Sequence, residues 1–431
     1  MTADGTLVLP DTTVVDKELR TAAAAGEAGA LRDAVRNWAE HCVPEQWLSA
    51  ALANDLDRLH RVRSPQDYRA WYPVLGRSGL VVAAWPERFG GLGLSPELVH
   101  VVQAELRRYR LTTLNIIGIA LAAPTLLEFG TDEQCERLLP AIATNAETWC
   151  QLFSEPGAGS DLAGLATRAT QSGERWTVNG QKVWSSFASD AARGILLART
   201  DPSVPKHQGI TAFALDLRQP GVTVRPLRKI SGDAEFSEVF FEQAIVSDAD
   251  RIGHIGQGWE VARRVLKHER AMLSGAGSGL RERTSGSSID RLVGLACAGP
   301  AGRRVIDDPV QADIVARLYV ENLAVRTTNA RNRESGGRAI DPALMKVMSS
   351  EHNQRLQMGT VDVFGARALA HAEDDEEAGR LVFGFLRSRG DTIGGGTSEV
   401  HRNYVAERTL GMPKDPFSDK SIPWREIKRG P

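Results

Sequence analysis

RWTVNGQKVWSSF (175–187) and GILLART (194–200) are the stretches that decide the fold. Both are rich in β-branched, aromatic and aliphatic residues and are bounded by turn-forming residues, which is typical of strands. Short strand-forming runs alternating with turn residues extend from about residue 149 to residue 246. Within it, the Asn179-Gly180 pair between strand-forming residues predicts a tight hairpin. Because no helix-length crossover separates the runs, we expect an antiparallel sheet.

Helical periodicity occupies the chain on both sides of this β-rich block. Before the block, apolar residues recur at helical spacing in 31–42, 95–109 and 131–143, the last with Thr131 or Asp132 as its N-cap. After the block, the predicted helices are 258–281, 309–334, 341–364, 375–388 and 398–410. The first 15 or so residues read as a loose tail, and 281–308 reads as partly loop.

The predicted fold class is therefore α+β, with three domains in sequence. They are an N-terminal helical domain (1–148), a central antiparallel β-domain (149–252) and a C-terminal helical bundle (253–431).

Composition narrows the class of protein. The 431 residues carry a net charge of −2, which gives no sign of a surface for nucleic acid or for an anionic membrane. The four cysteines are far apart and form no CxxC pair, which indicates a reducing compartment and no metal site. Neither a signal peptide nor a run of about 18 apolar residues is visible. We therefore expect a cytoplasmic protein without a membrane span.

One carboxylate is unusual in the predicted helix that begins near Gly258. At about 100° per residue, apolar side chains fill one half of this helix, and Glu269 projects near the centre of that half. Burying a carboxylate without a partner is costly, so Glu269 needs a physical reason. A structural ion pair with an arginine is one reason, and a role in catalysis is the alternative.

Two glycine-rich stretches are ambiguous when each is considered alone. In QLFSEPGAGSDLAGLAT (151–167), glycines and serines could bring N–H groups and hydroxyls close to a phosphate or a flat ring, or could simply form a turn. DTIGGGTSEVHRN (391–403) leads into a helix capped by Thr397 or Ser398. It suits either an anion or oxyanion site or an ordinary helix cap. The nucleophile elbow, the zincin motif and the P-loop are absent from the sequence.

Six motifs follow one another along the chain: WPERFGGLGLS (85–95), FGTDEQCERLLP (129–140), WCQLFSEPGAGSDLAGLATRA (149–169), VNGQKVWSS (178–186), GHIGQGWEVARRVLKHERA (253–271) and TIGGGTSEVHRNYVAERTLG (392–411). In this order they resemble the acyl-CoA dehydrogenase family, the FAD enzymes that oxidise acyl-CoA thioesters. The resemblance covers most of the chain and implies the same helical–β–helical architecture.

The resemblance also implies a cofactor, a substrate and partners. These are FAD, an acyl-CoA thioester (or an acyl group on a carrier) and an electron-transfer flavoprotein as the electron acceptor. The cofactor-binding positions that it implies are Gln151, Ser154, Gly159, Ser160, Trp184, Ser186, Thr397 and Glu399. Ser160, Arg270 and Gly395 would contact the substrate, and Trp184 would pack on the flavin ring.

The catalytic base departs from the family's commonest pattern. Many members carry a glutamate in a Tyr-Glu-Gly-Thr turn, where this chain has a glycine at position 395. A subgroup that includes isovaleryl-CoA dehydrogenase carries the base on the long helix, in a Leu-x-x-Glu-Arg context that LKHER (266–270) matches. The resemblance therefore implies that Glu269 is the base and that the Gly395 N–H supports the enolate oxygen. An apolar, water-poor surrounding would make this carboxylate a stronger base.

Two further departures concern the adenine end of FAD. The region 298–318 lacks the family's Arg-x-x-Phe-Gly motif, and VDVFGARAL (361–369) keeps Gly365 but not Gln-x-x-Gly-Gly. In the family these motifs contact the cofactor of a neighbouring subunit. We therefore expect a homo- or hetero-oligomer, either a dimer or a tetramer, without assuming the usual homotetramer.

The leading prediction is FAD-dependent α,β-dehydrogenation of an acyl thioester. One alternative keeps the fold but uses oxygen, as a flavin monooxygenase or an oxidase. The other is a non-catalytic subunit of a heteromeric acyl-CoA dehydrogenase. The SEPGAGSD loop (154–161), Trp184 and Glu269 favour the dehydrogenase, since a silent subunit could lose all three.

Overall fold

The computed structural model describes residues 9–271, 288–334, 340–369, 376–414 and 421–427. Helices, a sheet and again helices follow one another, so the predicted order of the three parts is confirmed. The N-terminal helices are α1 (Thr13–Ala25), α2 (Ala28–Cys42), α3 (Glu45–Leu52), α4 (Leu56–Val62), α5 (Pro65–Arg77), α6 (Pro96–Arg108), α7 (Ala123–Phe129) and α8 (Asp132–Ala143).

Tryptophans form the centre of the N-terminal core. Trp38, Trp47 and Trp71 are buried, and their rings meet at centroid distances of 5.8–6.2 Å. The predicted helices 31–42, 95–109 and 131–143 correspond to α2, α6 and α8, and Thr131 caps α8 as predicted. Helix α1 already begins at Thr13, so helical structure starts slightly earlier than the predicted tail allowed.

Within the described residues, the central sheet has eight strands. They are β1 (Trp149–Leu152), β2 (Arg168–Ser172), β3 (Arg175–Ser186), β4 (Arg193–Arg199), β5 (Ile210–Asp216), β6 (Val222–Leu227), β7 (Phe236–Ser247) and β8 (Arg251–Ile252). Their order is β6-β7-β3-β2-β4-β5-β8, and β1 pairs with β4. The antiparallel character is confirmed for most pairs, but β1 and β2 each pair with β4 in parallel.

The predicted hairpin at Asn179-Gly180 is wrong, because β3 runs through both residues. The Asn179 Oδ1 accepts a hydrogen bond of 2.9 Å from the backbone N–H of Gln243, and the β3–β7 register shifts here. A Cβ on Gly180 would lie 2.6 Å from the Thr167 Oγ1, so this glycine permits close packing, not a turn. The β2–β3 turn lies at Gly173 instead, where φ is +59°.

Both faces of β4 are buried, which explains its nearly unbroken apolar sequence. Ile195 and Leu197 pack in one apolar cluster with Val261 and Val265 of the helix that follows the sheet. Leu196, which points the other way, belongs to the cluster on the opposite face. The first C-terminal helix is therefore held directly against the sheet.

The C-terminal helices are α9 (Gly258–Ala271), α10 (Ile289–Cys297), α11 (Pro309–Glu334), α12 (Pro342–Phe364), α13 (Ala366–Leu369), α14 (Glu376–Ser388) and α15 (Ser398–Tyr404). The predicted helix 258–281 is described as far as Ala271, and its remainder lies outside the described residues. The segment predicted as partly loop contains α10. Among the helices that the structure describes, none has the length and apolarity needed to cross a membrane.

Candidate active site

Glu269 lies where helix α9 meets strand β1. Val261, Ala262 and Val265, on the sheet-facing side of the helix, are fully buried. One turn beyond Val265, Glu269 is half-buried, and its carboxylate accepts a hydrogen bond of 3.4 Å from the Gln151 Nε2. The anomaly seen in the sequence is therefore real, since a carboxylate continues the apolar face of α9 at the boundary between sheet and helices.

Trp184 stands on the strand next to the glycine- and serine-rich loop. The β3–β7 register shifts between Lys182 and Ser185, and Trp184 adopts a φ of +60°. Its side chain is 55% exposed and lies edge-on to Phe236, with 5.8 Å between the ring centroids. Positive φ is strained for a bulky residue, and such strain concentrates at binding sites. Ser186, two residues further, ends the strand half-buried.

The loop between β1 and β2 presents small residues to open space. The Ser154 carbonyl accepts a hydrogen bond of 2.9 Å from the Val183 N–H, which ties the loop to β3. Gly159 and Ser160 are exposed. A Cβ built on Gly157 or on Gly159 would meet no atom of the described residues within 4 Å. A ligand could therefore approach the backbone of this loop closely.

A buried ion pair that the sequence reasoning missed lies beneath this loop. The Lys182 Nζ donates to the Glu155 Oε1 at 2.8 Å and to the Phe153 carbonyl at 2.9 Å, and both charged residues are buried. The Glu155 carboxylate also accepts the N–H groups of Ala166 and Thr167, at 2.6 and 2.9 Å. The only signal in the sequence was a lysine between strand-forming residues.

Burial and charge act in opposite directions on this pair. Burial lowers the pKa of Lys182 to about 8, although the neighbouring carboxylate opposes that shift. Burial raises the pKa of Glu155, but the charge of Lys182 and the hydrogen bonds outweigh it, so the pKa stays below its ordinary value. The pair is thus charged at neutral pH and joins the two ends of the loop to β3.

The second glycine-rich turn leads into helix α15. Gly395 and Gly396 adopt φ values of +70° and +95°. The Gly395 carbonyl lies 3.0 Å from the Nε2 of the buried His401. The Thr397 Oγ1 accepts the Val400 N–H at 3.2 Å, so the predicted helix cap is confirmed. Of the two cofactor-binding positions predicted here, Thr397 is half-buried and Glu399 is exposed.

A bridge of charged residues brings this turn to the end of β3. Arg387 donates to the Glu235 Oε1 at 3.1 Å and to the Asp391 Oδ1 at 3.2 Å. The Glu235 carbonyl in turn accepts the Phe187 N–H at 3.0 Å. Asp391 lies just before the glycine turn, and Phe187 follows Ser186. Sequence reasoning missed Glu235 and Arg387, which are 152 residues apart.

Two contacts connect the surroundings of predicted site residues on the sheet to the C-terminal helices. Gln151 and Glu269 meet directly, and Glu235 and Arg387 link the surroundings of Ser186 to the glycine turn. The side chain of Arg270 lies outside what the structure describes. The described residues contain no group of three or more His, Cys, Asp or Glu side chains suited to a metal ion.

Comparison with known protein families matches three consecutive parts of the chain. The N-terminal, middle and C-terminal domains of acyl-CoA dehydrogenase match residues 26–146, 150–244 and 256–410. Acyl-CoA dehydrogenase IpdE1 of Mycobacterium tuberculosis is 36% identical over 383 residues, which are 86% of this chain and 96% of the relative.

Two solved structures extend the comparison. The Tcur3481-Tcur3483 steroid ACAD is 26% identical, with a TM-score of 0.69 over 91% of this chain and 98% of that chain. The ChsE4-ChsE5 complex from Mycobacterium tuberculosis is 25% identical, with a TM-score of 0.64 over 95% of this chain and 99% of that chain.

Proposed function

Because the chain belongs to the acyl-CoA dehydrogenase family, whose members are FAD-dependent oxidoreductases of lipid metabolism, we propose that it catalyses the α,β-dehydrogenation of an acyl thioester. The position of Glu269 carries this proposal. A half-buried carboxylate on an otherwise apolar helix face meets Gln151 at the junction of sheet and helices. A carboxylate bordered by apolar side chains suits the role of a base for a weakly acidic C–H bond.

The residue types at the predicted cofactor-binding positions fit a flavin. The ring of Trp184 offers an apolar surface for a flat heterocycle, and Gly157 and Gly159 leave room for its approach. The hydroxyl groups of Ser160, Ser186 and Thr397 are chemically suited to its polar edge and to phosphates. We propose that Gln151, Ser154, Gly159, Ser160, Trp184, Ser186, Thr397 and Glu399 hold FAD. When bound, FAD would supply the acceptor for the hydride that leaves the substrate's β-carbon.

Glu269 would remove the other hydrogen. Its carboxylate takes the proton from the α-carbon, the C–H electron pair forms the new double bond, and the β-hydrogen leaves as hydride. The Gln151 amide, which donates to the Glu269 carboxylate, holds the base in orientation. The Gly395 N–H would donate to the thioester oxygen, where negative charge develops. Arg270 and Ser160 would contact the remainder of the substrate.

Exposed apolar side chains support an oligomer. Tyr319, Val320 and Leu323 share one face of α11 and are about half exposed or more. One similar structure is a complex of two different chains, ChsE4 and ChsE5. We propose a dimer or a tetramer of like or unlike subunits, which delivers its electrons to an electron-transfer flavoprotein.

An anaerobic titration with acyl-CoAs tests the function. The panel contains short, branched, long and steroid acyl-CoAs, the last because one similar structure is a steroid ACAD. The wild-type protein should bind FAD, and its absorbance should bleach with one class. Glu269→Gln should bind FAD equally but bleach at least about a hundredfold more slowly.

Glu260→Gln provides the matched control, because Glu260 is an exposed carboxylate on the same helix. It should behave as wild type. If Glu269→Gln bleaches as fast as this control, Glu269 is not the base. A flavin that no acyl-CoA bleaches would instead favour oxygen chemistry, and a chain that binds FAD only with a second chain would favour the subunit alternative.

A further inference from the structure

Residues 421–427, which we call the C-terminal strap, lie on the β-domain although they come from the far end of the chain. They follow the region that matches the family's C-terminal domain, which ends at residue 410. Pro423 forms a β-bridge with Pro205. The backbone N–H groups of Trp424 and Arg425 donate to the carbonyls of Val204 and Pro202, at 2.9 and 3.1 Å. The strap is thus bonded through its backbone to the segment that precedes β5.

The Trp424 side chain reaches the loop that carries Gly159 and Ser160. Its indole Nε1 donates to the Gly164 carbonyl at 3.3 Å. The Arg199 guanidinium lies 4.7 Å from the centroid of the same ring. A cation above an indole is attracted by the ring's electron density.

Arg199 contacts the same part of the loop, next to Gly164, from the buried side. It is only 2% exposed, and it donates to the Ala163 carbonyl and to the Lys206 carbonyl, each at 2.6 Å. The Lys206 Nζ pairs with the Asp161 carboxylate at 3.0 Å. Trp424 therefore covers Arg199, a buried cation that donates to the Ala163 carbonyl. Lys206, whose carbonyl also accepts from Arg199, holds Asp161, the residue after Ser160.

We propose that the C-terminal strap positions the loop between β1 and β2, which carries Gly159 and Ser160, and that Trp424 is the central residue of the strap. The Glu155–Lys182 pair holds one part of this loop, and the packed side chains of Arg199 and Trp424 hold residues 163–165. The exposed Gly159 and Ser160 between them are thereby held in place for FAD. The link to FAD rests on the proposed function, whereas the packing of the loop does not.

Hydrogen exchange of the full-length, FAD-free protein tests the packing. In Trp424→Ala, the backbone amides of 161–165 should exchange hydrogen about tenfold faster than in the wild type. The variant loses both the ring contact with Arg199 and the hydrogen bond to the Gly164 carbonyl. Trp424→Phe keeps the aromatic face and should lie nearer to wild type. Arg425→Ala is the matched control, because that side chain is exposed on the same strap. Unchanged exchange at 161–165 in Trp424→Ala overturns the proposal.

The FAD dissociation rate, followed by the recovery of flavin fluorescence, tests the link to the cofactor. It should rise about tenfold in Trp424→Ala, less in Trp424→Phe, and not in Arg425→Ala. Faster exchange without faster FAD release overturns the positioning role. If the wild-type protein binds no FAD, the proposed function fails and the positioning role fails with it, while the exchange data still report on the packing.

Discussion

Replacing Lys182 by methionine removes the cation from a buried ion pair at almost constant side-chain length. The Lys182 Nζ binds the Glu155 Oε1 at 2.8 Å and the Phe153 carbonyl at 2.9 Å, and its side chain is fully buried. The variant leaves a buried carboxylate without its counter-charge and removes a donor from a carbonyl. Breaking a buried pair in this way costs about 3–5 kcal/mol of unfolding free energy.

The remaining contacts place the expected cost at the lower end of that range. Glu155 keeps the N–H groups of Ala166 and Thr167, which still donate to its carboxylate. We therefore expect Lys182→Met to lose about 3 kcal/mol, and Glu155→Gln a similar amount. The double variant removes both charges, so its loss should fall short of the sum of the single losses by at least about 2 kcal/mol.

Urea unfolding of the wild type, both single variants and the double variant measures this coupling. Circular dichroism and tryptophan fluorescence must give coincident transitions, because a chain with several domains can unfold in stages. Arg317→Met is the control, since the Arg317–Asp313 pair is exposed on α11 and should contribute about 0.5 kcal/mol or less. Single losses that add to within about 0.5 kcal/mol would refute the reasoning, because Glu155 and Lys182 would then act independently.

Three further predictions concern pH, backbone and thiols. Burial lowers the pKa of Lys182 from its ordinary 10.5 to about 8, so between about pH 8 and pH 10.5 the unfolded state binds more protons than the folded state. Urea unfolding across this range should therefore show the wild type gaining stability with rising pH relative to Lys182→Met. Equal slopes of unfolding free energy against pH in the two proteins would contradict this. In Gly180→Ala the new Cβ would lie 2.6 Å from the Thr167 hydroxyl, so urea unfolding should show a loss of about 3 kcal/mol of unfolding free energy. Gly173→Ala, in an open turn, should lose about 1 kcal/mol, and equal losses in the two variants would refute the close approach. Of the four cysteines Cys297 is the exposed one, so mass spectrometry after iodoacetamide treatment of the native protein should find one labelled thiol, and none in Cys297→Ser.

Local patterns predicted the secondary structure well where the pattern itself is the cause. Helices α2, α6, α8, α11 and α12 were predicted to within a few residues, because apolar spacing and caps act over a few residues. The Asn179-Gly180 pair failed for the opposite reason. Its local preference for a turn is real, but pairing with β2 and β7 on both sides, and the close approach of Thr167, decide the backbone there.

The sequence by itself determined the order of the three domains, the family and the one carboxylate that breaks an apolar helix face. Each of these is visible because neighbouring residues, or residues one helical turn apart, carry the signal. Only the tertiary structure decided which distant residues come together around the candidate site. Lys182 and Glu155 are 27 residues apart, Glu235 and Arg387 are 152 apart, and Gly164 and Trp424 are 260 apart. Charged and aromatic side chains satisfy one another wherever the packed backbone brings them within reach, and no local spacing in a single sequence records that meeting.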